Sequence, residues 1–348
     1  RRAFGDPRRK DVRELARAAY KKLMWPVRAL AGDAKHLLIS PDGELNLIPF
    51  EALIDDEDRY LIESYAFTYL TSGRDLLRMR AAPQSKSKSL VVANPSFGER
   101  AAEQTARVYT TSKVTARGRR RSVTAARALS EVYFAPLGGT AQEAGPVQKL
   151  LQSNLLTQAR ATESALKEVA APHVLHVATH GFFLQDDEAA NGAGAQVAAR
   201  GVKANARIEN PLLRSGLALA GANRRSSGGD DGILTALEAS GLNLWGTKLV
   251  VLSACDTGVG EVRSGEGVYG LRRAFVLAGA ESLVMSLWHV SDYPTGRLMT
   301  SYYKNLVNQK MGRGEALRKA QLDMLKRHPF YWANFIQSGE WANLDGKR

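Results

Sequence analysis

Leu249-Val250-Val251-Leu252-Ser253-Ala254-Cys255-Asp256-Thr257-Gly258 decides how the rest of the chain is read. Its four opening apolar residues are too short a run for a helix and include two β-branched valines. That pattern fits a strand covered on both faces, as in a parallel α/β sheet. The run then passes through small residues into a glycine turn. Cys255, the single cysteine among 348 residues, stands where the strand ends. In open α/β sheets ligands bind beyond the carboxyl ends of strands, so this position offers a thiol to a substrate. Ala254 and Gly258 leave room for a substrate backbone, and the Cys255 amide would face a developing oxyanion. The position alone fits a buried structural cysteine equally well, since free cysteine is among the most buried residue types.

A chain of this length holds two domains or one large α/β unit. Hydrophobic residues are 44% and charged residues 24%, ordinary values for a globular protein. One cysteine excludes an intrachain disulfide and fits a reducing, cytoplasmic setting. No stretch approaches the ~20 apolar residues of a membrane helix, so no membrane partner is expected. The start at Arg1-Arg2-Ala3 suggests a piece of a longer protein. The net charge of +13 raises nucleic-acid binding. The basic residues are scattered, however, apart from the chain start and the cluster Arg117-Gly118-Arg119-Arg120-Arg121, and no nucleic-acid recognition motif accompanies them. Nucleic acid is therefore not required, and a solvated loop or an acidic partner protein explains the cluster.

Along the chain, residues 11–31 read as a helix divided at Pro26. Residues 36–40 and 45–49 read as two short strands around a Pro41-Asp42-Gly43 turn. Strands are expected at 65–70, 90–95, 174–179, 215–220 and 282–288. Helices are expected at 73–80, 162–169 with Thr162 as N-cap, 267–277, 295–307 and 315–327. Pro146 argues against one unbroken helix over 140–152. Thr235-Ala236-Leu237-Glu238 is a capping box. Residues 98–125 and 185–210 read as polar or glycine- and alanine-rich excursions. Strands alternate with helices from residue 140 onward, which predicts a mostly parallel sheet with helices on both faces.

A cysteine hydrolase needs a thiolate, a histidine for proton transfer and donors for the oxyanion. His180 follows the apolar run Val174-Leu175-His176-Val177-Ala178-Thr179, so it ends a strand as Cys255 does. If the two strands are neighbours, both residues emerge at one edge, and the Gly181 amide could join that of Cys255. Histidine first and cysteine second is the caspase order rather than the papain order. His173, His176 and His180 also raise a metal site. Residues three apart on a strand point to opposite faces, and no second cysteine or carboxylate cluster is near. His176 reads instead as a hydrogen-bonded core histidine, and no metal is expected.

Further strings carry a resemblance. His176-Val177-Ala178-Thr179-His180-Gly181-Phe182-Phe183, Ser215 to Gly221, Leu249 to Gly258, Gly265 to Phe275, Ser286 to Asp292 and Tyr331 to Phe335 closely resemble the CHAT-domain family. His36 to Leu53 resembles that family's amino-terminal region, so the likeness covers nearly the whole chain. These are caspase- and separase-like cysteine peptidases, often found behind TPR repeats.

The resemblance implies a catalytic dyad of His180 and Cys255 and oxyanion-hole amides from Gly181 and Cys255. It implies that Ser286, Leu287 and Trp288 lie beside the substrate backbone. Asp292 matches an acidic residue that receives a basic P1 side chain, and Asp256 is a second candidate. Each also has a plain reading, Asp292 as a helix N-cap and Asp256 as a turn residue. The expected fold is a caspase-like three-layer α/β sandwich, with a pseudo-peptidase-like subdomain over 1–137 and a catalytic domain over 138–348. The expected function is a cysteine endopeptidase without metal or organic cofactor. It would act on a protein substrate under control of a TPR-like upstream domain or a regulatory partner. The rival is a catalytically silent scaffold of the same fold. Two departures stand out: Gly145-Pro146 interrupts a run that is acidic and helical in the family, and the insertion over 185–210 lacks a clear counterpart.

Overall fold

A computed structural model describes residues 2–81, 83–99, 132–184, 210–227, 229–256, 266–288 and 292–347, with Cys255, Asp256 and Asp292 placed by their backbone. The expected basic cluster at 117–121 and nearly all of the 185–210 insertion lie outside these residues.

Ten strands form one sheet. They are β1 (His36–Ile39), β2 (Ala66–Tyr69), β3 (Leu90–Pro95), β4 (Asn154–Gln158), β5 (Val174–Phe183), β6 (Ser215–Ala218), β7 (Ile233–Thr235), β8 (Leu249–Asp256), β9 (Ser282–Ser286) and β10 (Phe335–Gly339). Their order is β1-β2-β10-β9-β8-β5-β3-β4, with β6 branching from β5 and β7 from β6. β10 runs antiparallel to β9, and the β5-β6-β7 branch is antiparallel; every other pairing is parallel. The apolar run of β5 has its reason here, because nine of its ten residues are buried and only His180 is half-exposed.

The helices that position the site begin with α1 (Val12–Leu23) and α2 (Trp25–Ala31), separated just before Pro26. Two short ones follow, α3 (Leu61–Ser64) and α4 (Asp75–Arg78). α5 (Gly138–Leu151) lies across β3, β4 and β5, and α6 (Glu163–Lys167) starts at Thr162, whose hydroxyl accepts from Ala165 N at 3.2 Å. α7 (Ala236–Ala239) opens on the Thr235–Glu238 capping box, with both reciprocal bonds made. α8 (Glu266–Leu277) packs on β6 and β9, while α9 (Asp292–Tyr303) packs on α5 and on α10 (Arg313–Leu322).

Two expectations change, and three strands lie where none was expected. Residues 45–49 are not a strand: Gly43–Leu47 is a 3-10 helix whose cap, Asp42, accepts from Gly43 N at 2.8 Å. α5 runs unbroken through Pro146, which lies on the exposed side. The Gln142 carbonyl it cannot serve is therefore open to water rather than stranded in the core. Strands β4, β7 and β10 carry no strong apolar alternation. β10 instead holds buried Gln337 and Ser338, which bond to Thr68 Oγ1 and to the Tyr69 carbonyl at 2.8 Å each. The expected boundary at 137/138 falls just ahead of α5. Strands from both sides of it share the sheet, since β3 lies between β4 and β5 and β2 pairs with β10.

Candidate active site

β5 and β8 are adjacent and parallel over eight register pairs, from Val174↔Leu249 to Gly181↔Asp256. Within that ladder His180 is the partner of Cys255. Neighbouring strands lie about 4.8 Å apart, so the two backbones meet at one level near the carboxyl ends of both strands. The β8–β9 ladder stops earlier, at Leu252↔Met285. β8 therefore continues past its neighbour on that side before it reaches Cys255.

The His180 ring is held by backbone and aromatic groups. Its Nε2 lies 2.7 Å from the Ala135 carbonyl. A carbonyl only accepts, so Nε2 carries the proton in the neutral ring and Nδ1 is the basic nitrogen. Phe97 and Phe134 flank the ring at centroid distances of 5.2 and 6.0 Å. Both phenylalanines belong to a small apolar cluster with Phe182, Ala218 and Ile233. Gly216 makes this packing feasible, because a Cβ there would meet the Phe182 ring at 2.8 Å. Asn223 braces the segment that presents Ala135. Its Oδ1 accepts from Phe134 N at 2.9 Å, and its Nδ2 donates to the Phe134 and Gly98 carbonyls at 2.9 and 2.8 Å.

The three histidines grouped in the sequence have separate surroundings. His173 Nδ1 meets Ser85 Oγ at 3.2 Å, and burial lowers its pKa. His176 is fully buried, with Nδ1 3.0 Å from Tyr303 Oη, as a core histidine should be. Burial raises the pKa of the Tyr303 hydroxyl well above that of a free tyrosine, so it stays protonated.

The residues expected beside the substrate backbone turn their side chains into the core. The side chains of Ser286, Leu287 and Trp288 are all buried. Leu287 N donates to the Asn334 carbonyl at 2.7 Å, and Trp288 Nε1 to the Phe330 carbonyl at 3.1 Å. Ser286 Oγ donates to the carbonyl of Ala254, the residue before Cys255. Ser286 and Trp288 thus use their side-chain donors on backbone carbonyls inside the core. Gly181 is a register partner of both Leu217 and Asp256. Asp256 ends β8, and Asp292 is the first residue of α9. Two cavities lie elsewhere. One of about 680 Å³ is lined by Arg28, Arg59, Glu63 and Arg318; the other, of about 610 Å³, lies at the amino ends of β5 and β8 around His173, Trp245 and Lys248.

The CHAT domain family model matches residues 13–340. The chain belongs to the CHAT domain family. This CHAT domain is 25% identical over 353 residues to tetratricopeptide repeat protein 28 of Homo sapiens, a match covering 94% of the chain and 13% of that protein. Against the Mus musculus protein of the same name it is 33% identical over 116 residues, covering 32% of the chain and 5% of that protein. The chain spans only a small part of the length of these relatives. Among solved structures it is similar to the Arg-specific cysteine proteinase gingipain R, at a TM-score of 0.48 and 8% identity, over 95% of this chain and 67% of that one. It is also similar to the Saccharomyces cerevisiae separase–securin complex, at a TM-score of 0.41 and 12% identity, over 85% of this chain and 14% of that one.

Some features of this CHAT domain's site escape a reading of the sequence. The Ala135 carbonyl bears no side-chain signature. Asn223 sits in a loop where turn chemistry explains an asparagine just as well. Glu143 and Ser253 bond at 3.1 Å; Ser253 is a polar residue in a buried run, and that mismatch is the one signal available.

Proposed function

We propose that this CHAT domain is a cysteine endopeptidase. The observation that carries the reading is the register pairing of His180 with Cys255, combined with the Ala135 carbonyl on His180 Nε2. Residues in register on adjacent parallel strands share a face of the sheet, which is what a nucleophile and its base require. In this reading His180 Nδ1 takes the thiol proton, and the Cys255 sulfur bonds to the scissile carbonyl carbon. The oxyanion is held by the amides of Gly181 and Cys255. Collapse expels the amine, which leaves with the proton from His180. Water then hydrolyses the thioester and frees the acid.

In this reading Asp256, next to the nucleophile in the chain, and Asp292, which opens α9, favour arginine or lysine at P1, since a carboxylate pairs with a basic side chain. The relatives are named as tetratricopeptide repeat proteins, and this chain spans a small part of them. That supports control of the site by adjoining repeats or by a regulatory partner.

Labelling with peptidyl electrophiles tests the reading. A P1-arginine probe should label Cys255 faster than its P1-aspartate counterpart, and His180→Ala should slow labelling by about 100-fold. Equal labelling by both probes removes the acidic pocket and keeps the peptidase. If neither probe labels the isolated chain or the longer protein with its partners, the domain is a scaffold.

A further inference from the structure

Four buried groups that the reaction does not use touch one another in a chain: Ser253, Glu143, His176 and Tyr303. Ser253 precedes Cys255 by two residues on β8, and His176 precedes His180 by four on β5. At a strand period of two, each occupies the same sheet face as the dyad position on its own strand. Ser253 Oγ donates to Glu143 Oε2 at 3.1 Å. His176 Nε2 lies 3.2 Å from Glu143 Oε1 but off the line of a directed hydrogen bond, so that contact is electrostatic. His176 Nδ1 meets Tyr303 Oη at 3.0 Å. Glu143 belongs to α5, whose first residue, Gly138, follows Ala135 closely in the chain.

One carboxylate therefore touches both dyad strands from the helix that leads away from the carbonyl holding His180. Burying a carboxylate is unfavourable unless it is bonded, and an apolar side chain of similar volume would pack between these elements without that penalty. A polar bridge does what an apolar residue cannot: it sets the distance and direction of α5 relative to each strand.

We propose that Glu143 is a positioning residue for the dyad, holding α5 on the strands of His180 and Cys255 so that the Ala135 carbonyl stays within hydrogen-bonding reach of His180. This rests on the dyad reading above. The titratable groups facing Glu143 are His176 from β5 and Tyr303 from α9, with Ser253 from β8 as its hydroxyl donor. Gly296 of α9 lies against its Cβ, and β3 beneath α5 presents apolar side chains from Leu90 to Ala93.

The test is the pH dependence of Cys255 alkylation by iodoacetamide, which needs no substrate pocket, with thermal melts to establish folding. Glu143→Leu removes the bridge at similar volume. Glu143→Gln keeps an acceptor for Ser253. If the bridge positions His180, Glu143→Leu moves the alkylation profile up by about one pH unit, or about tenfold less thiolate at neutral pH, in the direction His180→Ala moves it. Glu143→Gln restores the wild-type profile. A folded Glu143→Leu variant with the wild-type profile, or a Glu143→Gln variant as impaired as Glu143→Leu, overturns the positioning role and leaves the dyad standing. An unchanged profile in His180→Ala overturns the dyad, and this inference with it. Should Glu143→Leu not fold, Ser253→Ala removes one hydroxyl and is expected to move the profile in the same direction; no movement overturns the role.

Discussion

Asn223 shows how much of the setting of His180 depends on a residue that does not contact its ring. One buried amide makes three hydrogen bonds to the backbone at Gly98 and Phe134, and these hold the turn that offers the Ala135 carbonyl. Asn223→Ala leaves a buried N–H and two carbonyls without their partner, so it should lose roughly 2 kcal/mol of stability, read by urea unfolding. A second residue governs pH behaviour. Glu51 is buried with Tyr69 Oη 2.7 Å away, and burial pushes its pKa up to about 7. A carboxyl whose folded pKa is raised contributes stability that is complete below its unfolded value and is lost as pH rises through the folded one. The chain should therefore lose about 3 kcal/mol between roughly pH 4.5 and pH 7 through this group. Glu51→Gln should flatten that slope in denaturant melts taken across the range, and an unchanged slope would remove Glu51 as its source.

At the scale of elements, α5 carries Glu143 and follows Ala135. Pro146 withholds one N–H from its ladder on the solvent side. Pro146→Ala restores that bond but gives the unfolded chain more freedom, and the bond outweighs the entropy by about 1 kcal/mol. The variant should melt higher; a lower melting temperature would show that the proline's rigidity matters more than the missing bond. The start of α7 gives a cleaner test. Thr235 and Glu238 cap each other, with Glu238 N donating to Thr235 Oγ1 at 3.2 Å and Thr235 N to Glu238 Oε2 at 3.0 Å. Thr235→Ala should cost about 1 kcal/mol in thermal or denaturant unfolding.

For the whole molecule, β10 is the seam. It sits between β2 and β9, so the β1–β2 pair joins the rest of the sheet through the last strand of the chain. Gln337 secures that seam by accepting from Thr68 Oγ1 at 2.8 Å and donating to the Glu340 carbonyl at 2.9 Å. Gln337→Ala should speed amide hydrogen exchange in Ala66–Tyr69 while leaving Leu249–Leu252 protected. Equal loss of protection in both would mean that the sheet opens as one unit. The net charge of +13 belongs to this scale as well. Long-range attraction of any acidic molecule to this charge should weaken as ionic strength rises, while the pairing of neighbouring strands should not.

The apolar runs, the turn glycines and the caps at Thr162 and Thr235 are local patterns. Hydrophobic periodicity and end-group hydrogen bonding act within a few residues, so the sequence by itself determined the class of fold and most of its strands and helices. The same runs placed Cys255 at a strand end, whereas β5 runs on past His180 to Phe183, where it pairs with β6. Local pattern failed at 45–49, where a capped 3-10 turn replaced a strand. It failed at Pro146, where solvent excused a missing bond, and at β10, where side-chain bonds to β2 stand in for apolar alternation. Only the tertiary structure decided that β5 and β8 are neighbours with His180 opposite Cys255. Strand order depends on how helices cover the sheet and not on any one segment. It alone brought Asn223 to Phe134 across 89 positions and Ser253 to Glu143 across 110. A hydrogen bond between such distant residues leaves no periodic trace in either segment, because what each polar group satisfies is supplied by another part of the chain.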